Sequence, residues 1–386
     1  MHYSSTAARI SAFFAASFVA FGIHLPFFPV LLASRGQDEA AIAVIMAVPI
    51  VLRVTTASWL GAIADRIGDR RRALVIYCAL TVLGFLTLWP AQSFWALLIS
   101  SSLAALFWNG VIPVTDALAT TAVRRGEGVY GRMRAWGSSA FVVGNLTAGW
   151  VAASVGPEGI YWYLVVVLIA QVGVALVVPD ERREETATGG AKRGSLAVVA
   201  GNGLLMVLLA GSALLQSGHA MLHGFASLYW SSLGFSGNQI GILWATGVLG
   251  EIVLFAMSGP VLARIGPRGL LAIGVVGAVA RWSVFPFVGP SFGLWLVVQS
   301  LHAASFAAVH LGMIHVVTHT VAEEQAATAQ GVMVSVNGSA MAVATLLSGP
   351  LYRAYGGHAF LAMAVIAAAG GVILAVVTRR GLPRAA

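Results

Sequence analysis

The sequence predicts an all-α, polytopic membrane protein of about twelve transmembrane helices, and three observations predict it. Hydrophobic residues make up 59% of the 386 residues and charged residues 9%, whereas a soluble domain has about a quarter charged. The apolar runs reach the roughly 20 residues needed to cross a bilayer, with short polar breaks between them. One loop sequence also occurs twice, at matching places in the two halves of the chain.

Taken in order, the first apolar segment runs over 9–33. It is longer than a signal-peptide core and is read as a retained helix. Helices are expected next over 40–63, 72–91, 95–121, 134–155 and 159–179. The polar stretch from Pro179 to Ser195 is the longest break, and six more helices are expected over 199–230, 237–259, 269–288, 292–319, 325–351 and 355–378. The chain therefore divides into a six-helix bundle over 1–179, a cytoplasmic central loop over 180–198 and a second six-helix bundle over 199–386. Pro26, Pro29, Pro113 and Pro286 are expected to set bends and packing rather than to bind anything.

The formal charge of +8 sits mostly in loops. Arg66, Arg70, Arg71, Arg72, Arg124, Arg125, Arg132, Arg182, Arg183, Lys192 and Arg193 fall on one side, with Arg9, Arg264, Arg268, Arg379, Arg380 and Arg384. Arg35 and Arg353 fall on the other, so the positive-inside rule places both termini in the cytoplasm of a bacterial-type inner membrane. The basic balance is thus topology, and no nucleic-acid partner is expected. Cys78 is the only cysteine, which excludes an intramolecular disulfide or a thiolate metal cluster.

The repeated loop reads Gly61-Ala-Ile-Ala-Asp65-Arg66-Ile-Gly68-Asp-Arg70-Arg71 in the first half and Gly259-Pro-Val-Leu-Ala263-Arg264-Ile-Gly266-Pro-Arg268 in the second. The first copy resembles the loop signature of the major facilitator superfamily, and the resemblance covers the full chain. It implies a fold of two six-helix pseudo-repeats with a central site at mid-membrane. Gly61, Asp65, Arg66, Gly68, Arg70 and Arg71 then form a cytoplasmic gate motif, with Asp65 facing the positive end of a helix. Ala263 replaces the aspartate in the second copy, where a weaker latch is expected.

Of the 14 acidic residues only Asp116 and Glu251 fall inside helices, and Arg53, Arg134 and Arg281 lie in or at the edge of helices. A charge at the bilayer centre costs roughly 2.5–3.5 kcal/mol on insertion scales, so such groups pair or line a watery cavity. At about 100° per residue, Arg134, Ser138, Phe141 and Asn145 share one helix face, and Asn109 and Asp116 another. Gln216, His219 and His223 form a third stripe, and Gln299, His302, Phe306 and His310 a fourth. These stripes are expected to face a polar, partly aromatic cleft. His219 and His223 have the spacing of a zinc pair but lack further ligands, so no metal is expected. His310, His315 and His319 are read as backbone-bonded. Asn145-Leu-Thr147 and Asn337-Gly-Ser339 match the glycosylation pattern inside helices, where the match is accidental.

Within the superfamily the chain is similar to the 3-phenylpropionate permease branch, a neighbour of the lactose permease group. The segments carrying this are Pro113 to Ala119, Tyr130 to Phe141, Gly218-His219 through Tyr229-Trp230, Gly250-Glu251-Ile, Arg281-Trp282 and Gln299-Ser-Leu-His302. The resemblance implies a substrate-site pair of Asp116 and Arg134 and a coupling cluster of Glu251, Arg281 and His302. It departs from the lactose pattern at Ser305, which stands where a second acid is expected, and at Phe141, which replaces a sugar-stacking tryptophan. His219, Leu222, Gln299 and Asn337 replace two ion pairs, which disfavours sugars.

Three intramembrane positive charges against two negative ones leave room for one bound carboxylate. An arginine fork holds that group bidentately. Arg53, which resembles an arginine of the 3-phenylpropionate permease branch, is expected to bind substrate with the Asp116 and Arg134 that the resemblance implies and with Asn109, Phe141, His219 and Trp230, and Trp108, Trp136, Trp244 and Trp282 are expected as further aromatic wall or as packing. Burial favours a neutral Glu251 and Arg281 favours its carboxylate, so motion of that arginine switches the proton; Asp116 is the second proton candidate. The function expected is proton-coupled symport of a small aromatic organic acid by a monomer in the bilayer, without a cofactor. A symporter or exporter of a neutral solute such as a nucleoside, glycoside or drug, or a non-transporting receptor, is the alternative. No nucleophile with its base, metal set or phosphate loop appears, so an enzyme is not expected.

Overall fold

In hydrocarbon every backbone amide must be satisfied within the protein, and a helix does so within one segment. The computed structural model describes residues 4–180 and 194–379, among which helices and short connections occur and no strand. The first half holds α1 (Ser5–Ser34), α2 (Glu39–Ile67), α3 (Arg70–Leu86), α4 (Phe94–Arg124), α5 (Tyr130–Val155) and α6 (Pro157–Val177). The second holds α7 (Gly194–Gly201), α8 (Gly203–Ser217), α9 (His219–Ser232), α10 (Gly237–Ala256), α11 (Ser258–Val284), α12 (Phe292–Ser300), α13 (Val309–Thr320), α14 (Glu323–Tyr355) and α15 (Phe360–Arg379). With α8 and α9 forming one crossing and α12 and α13 another, the described residues give twelve passes.

Side-chain caps start several helices: Ser4, Asp38, Asp69, Ser93 and Asn202 each accept a hydrogen bond from the backbone N–H three residues on. The Asn202 cap explains why the helix expected over 199–230 is broken. Gly201 ends α7 and the cap begins α8, while Gly218 separates α8 from α9. A Cβ at 218 would lie 3.0 Å from the Trp282 Nε1. The loop expected at 180–198 is also shorter than read, since Gly194 onward is helical; residues 181–193, with Arg182, Arg183, Lys192 and Arg193, lie outside the described residues, as do Arg380 and Arg384. The repeat at Gly259 to Arg268 was expected as a loop and is mostly helical. Gly266, at φ 66°, breaks α11 there and is followed by Pro267.

The chain forms two units, Met1–Thr186 with Trp230–Ala245, and Ala187–Tyr229 with Thr246–Ala386. In the first unit α1 packs on α5 and α6, and α4 packs on α2 and α3. Small residues set the closest approaches: a Cβ at Gly144 would sit 3.2 Å from the Gly22 Cα, and one at Gly84 would sit 2.5 Å from the Ala104 Cα. At one end Arg35, buried, donates to Glu158 Oε1 at 2.8 Å and Oε2 at 2.9 Å and to the Leu88 carbonyl at 2.6 Å, tying together the ends of α1, α3 and α6.

In the second unit α8 packs on α14 and α15, and α11 packs on α13, α15 and the stretch between α12 and α13. That stretch, Ala303–Ala308, is a π-helical turn. Gly277 of α11 admits it: a Cβ there would lie 2.6 Å from the Ala304 Cβ and 3.4 Å from the Ser305 amide nitrogen.

Candidate functional site in two clusters

Four of the five charged residues expected in the spans, Asp116, Arg134, Glu251 and Arg281, fall in two clusters, one in each unit, while Arg53 stands apart. In the first unit Asp116 on α4 and Arg134 on α5 were expected as an ion pair. Among the described residues they form none; the Tyr130 hydroxyl donates to Asp116 Oδ1 at 2.9 Å instead. The reason is local: Tyr130 stands one helical turn before Arg134 on α5. Arg134 turns to α1, its guanidinium 4.0 Å from the centroid of the Phe18 ring and 5.7 Å from that of Phe14. Its Nη1 is buried and has no hydrogen-bond acceptor. Gly137, one turn on, makes room, since a Cβ there would lie 3.0 Å from that Nη1 and from the Phe18 ring.

Further along α1 the aromatic row continues. Phe21 stacks on Trp108 with centroids 4.6 Å apart and planes at 8°, and His24 meets the same indole edge-on at 5.1 Å. Helix 1 was not among the expected site elements. Phe14, Phe18 and Phe21 are spaced four and three apart, the signal of a shared face, but phenylalanines on an apolar helix look like ordinary packing.

The other expected residues of this unit scatter. Asn109 donates to the Pro49 carbonyl at 3.2 Å and so ties α4 to α2. Arg53 is exposed on α2 and makes no hydrogen bond or ion pair among the described residues. Phe141 packs its backbone against Gly22 and makes no aromatic ring contact among the described residues. Trp230 is buried, edge-on to Trp244 at 6.2 Å. Trp136 is exposed. Thr147 accepts a hydrogen bond from Tyr163 at 2.9 Å inside the helical packing, and Asn145 is buried.

The gate-motif residues lie at the end of α2 and the start of α3. Gly68 takes the left-handed conformation, φ 72°, that closes α2. Arg70 donates to the Thr121 hydroxyl at 2.8 Å and the Ala117 carbonyl at 3.3 Å, Arg71 reaches Asp180 at 3.3 Å, and Arg72 reaches Asp69 at 3.2 Å. Gly61 is half-buried, and Asp65 and Arg66 are exposed.

In the second unit the expected trio is assembled. Arg281 on α11 has no exposed surface, and its Nη1 donates to His302 Nδ1 at 2.9 Å and to Ser305 Oγ at 3.1 Å. Its Nη2 donates to Gln299 Oε1 at 2.7 Å, and the guanidinium lies 4.6 Å from the Trp282 ring centroid. His302 Nε2 faces Glu251 Oε2 at 3.6 Å. Glycines bring α10 close: a Cβ at Gly247 would lie 3.3 Å from the His302 Cβ, and one at Gly250 3.3 Å from the Ala303 Cβ.

The partners assign the tautomers. A guanidinium only donates, so His302 Nδ1 is the acceptor and its proton sits on Nε2, toward Glu251. His219 Nδ1 lies 3.1 Å from the Gln216 carbonyl and carries a proton, leaving Nε2 as acceptor for the Ser305 hydroxyl at 3.4 Å. His219, expected with the substrate residues, thus belongs with the Glu251 cluster, 5.2 Å ring to ring from His302. The π-helical turn carries Ser305, and Gln216 reaches its Phe306 carbonyl at 3.5 Å.

Twelve apolar passes describe a multi-pass membrane protein. The profile of the MFS_1-like family matches residues 7–362. The chain belongs to this family. Over 371 residues it is 32% identical to the probable 3-phenylpropionic acid transporter of Escherichia coli K12, covering 91% of this chain and 92% of the relative. A maltose permease of Geobacillus stearothermophilus is 25% identical over 72% of this chain and 70% of its own. The crystal structure of the nucleoside transporter NupG superposes with a TM-score of 0.84 at 14% identity over 97% of this chain and 98% of that one, which shows the shared fold. The MFS_1-like chain is a membrane transporter that acts on small solutes.

Proposed function

We propose that this transporter is a proton-coupled symporter of a small aromatic monocarboxylate, working as a monomer by alternating access in a bacterial inner membrane with both termini cytoplasmic. The observation that carries the coupling is the chain from Glu251 Oε2 through His302 to Arg281 in the second unit. The carboxyl is the proton carrier. His302 spends its Nδ1 lone pair on Arg281, so it senses the charge of Glu251 through its Nε2 proton and passes that state to the guanidinium.

Substrate binding belongs to the first unit. The membrane charges of the second unit, Arg281 and Glu251, balance, whereas Arg53 and Arg134 outnumber Asp116 in the first. The surplus positive charge supports an anionic substrate there. Arg134 is its holder, because its buried Nη1 lacks an acceptor and a carboxylate oxygen supplies one. The aromatic row of Phe18, Phe21 and Trp108 supports an aryl group on the same molecule, with Asp116 held away by Tyr130. The relative's name supports the same substrate class.

The test is uptake of labelled 3-phenylpropionate into proteoliposomes with and without an inward proton gradient, with benzoates, nucleosides and galactosides as competitors. Accumulation driven by the gradient and competed by aromatic acids is expected. Uptake competed by nucleosides or galactosides and indifferent to aromatic acids would overturn the substrate assignment.

A further inference from the structure

Arg281 is fully buried, and among the described residues every group that accepts a hydrogen bond from it is neutral: Gln299 Oε1, the His302 Nδ1 lone pair and Ser305 Oγ. Its Nε has no acceptor at all. Among the described residues no carboxylate lies within ion-pair distance of it; Glu251 is one imidazole away, on the far nitrogen of His302. A buried guanidinium is normally stabilised by a carboxylate in contact, because neutral acceptors recover only part of the lost hydration. The second unit has three acids in its sequence, Glu251, Glu323 and Glu324, and of these Glu251 alone lies in a membrane span.

We propose that Gln299 is a positioning residue of the coupling site: its neutral amide oxygen holds Arg281 in place without neutralising it, so that Glu251 is the one acid whose ionisation the guanidinium feels. The inference rests on the proton-coupling reading and adds to it the reason for the amide. A carboxylate at 299 would have the same reach and two charge-assisted contacts to Nη2. It would pair Arg281 permanently, and loss or gain of the Glu251 proton would then no longer move it. Ser305 has the same part on Nη1. Its hydroxyl accepts from Arg281 and donates toward His219 Nε2 at 3.4 Å, or toward the His302 carbonyl, also at 3.4 Å. The π-helical turn of Ala303–Ala308 is what brings this serine under the guanidinium alongside His302, three residues earlier.

Two measurements on the purified full-length protein test this. The first needs no substrate: thermal unfolding in detergent of Gln299→Glu against Gln299→Met. A neutral cradle predicts that the glutamate variant unfolds several degrees above the methionine variant, because it supplies a missing counter-charge. Equal unfolding temperatures would show Arg281 already neutralised and overturn the proposal. The second is transport of 3-phenylpropionate, comparing accumulation under a proton gradient with exchange at equal pH. One proton per monoanion gives about tenfold accumulation for about one pH unit of gradient. Gln299→Glu is expected to lose that tenfold factor while losing much less exchange, and Gln299→Met, which leaves Nη2 without its acceptor, to lower exchange and accumulation together. Equal loss of exchange and accumulation in both variants would make Gln299 merely structural.

Ser305→Asp, which presents a carboxylate to Nη1, is the second route, compared with Ser305→Ala in both assays. Failure of both carboxylate variants to fold would also overturn the proposal, since it requires them to be tolerated. Should the wild-type protein not transport 3-phenylpropionate, the substrate reading fails, and the unfolding comparison still decides the cradle.

Discussion

Replacing Arg134 by alanine removes the group to which the account assigns the substrate carboxylate. The geometry limits how much is lost. The guanidinium already spends one face on Phe18, at 4.0 Å from the ring centroid, and offers one buried nitrogen without an acceptor. One hydrogen bond between charged partners contributes about 1.5–3 kcal/mol. With about 1.4 kcal/mol per decade, the dissociation constant for 3-phenylpropionate rises roughly 10- to 150-fold. Arg134→Lys keeps the charge but loses the planar stack on Phe18, a contact of about 0.5–2 kcal/mol, and should fall between wild type and alanine. Binding of the labelled acid to detergent-solubilised protein reads both. The 3-phenylpropionamide analogue, whose carbonyl still accepts a hydrogen bond but carries no charge, should lose less affinity than the acid on Arg134→Ala. An Arg134→Ala dissociation constant within about threefold of wild type, well under one decade, would refute the assignment.

Three further outcomes follow from the geometry. Glu251→Gln keeps the size of the proton carrier and removes its charge, so exchange should persist while gradient-driven accumulation disappears; unchanged accumulation in proteoliposomes would remove Glu251 from coupling. Glu158→Ala takes two hydrogen bonds from the buried Arg35, and because Glu158 is itself 48% exposed the expected loss is about 1–3 kcal/mol, read as a lower unfolding temperature with substrate affinity unchanged. Gly144→Val puts side-chain atoms where α1 and α5 touch, a Cβ there lying 3.1 Å from the Val19 Cα and 3.2 Å from the Gly22 Cα; overpacking of this kind costs about 1–3 kcal/mol and should lower the unfolding temperature and the yield of folded protein, whereas Gly173→Ala, which meets no neighbour, should not.

The fold was legible because hydrocarbon restricts the choice: long apolar runs with polar breaks have one outcome. Breaks inside passes were less legible. Gly218 and the π-helical turn at Ala303–Ala308 depend on Trp282 and Gly277 of a neighbouring helix, and hydropathy carries no trace of such contacts. The charges of the sites could be read directly, since Asp116, Glu251 and Arg281 have few reasons to sit in apolar helices. Their partners could not. Tyr130 stands one helical turn before Arg134, and the spacing alone does not say which of the two reaches Asp116. Phe18 has the composition of lipid-facing packing until an arginine is seen lying on it. His219 shares a helical stripe with Gln216 as expected, yet its cluster is decided by where Ser305 is carried across from another helix.

The central claim is that proton and aromatic acid move together, and it is tested most directly by recording internal pH. Proteoliposomes loaded with a pH-sensitive dye, at equal pH on both sides and with the membrane potential clamped, are given an inward gradient of 3-phenylpropionate. Internal acidification above that of protein-free liposomes, abolished by Glu251→Gln, is the predicted result. Entry of the labelled acid with no protein-dependent change of internal pH would contradict the account.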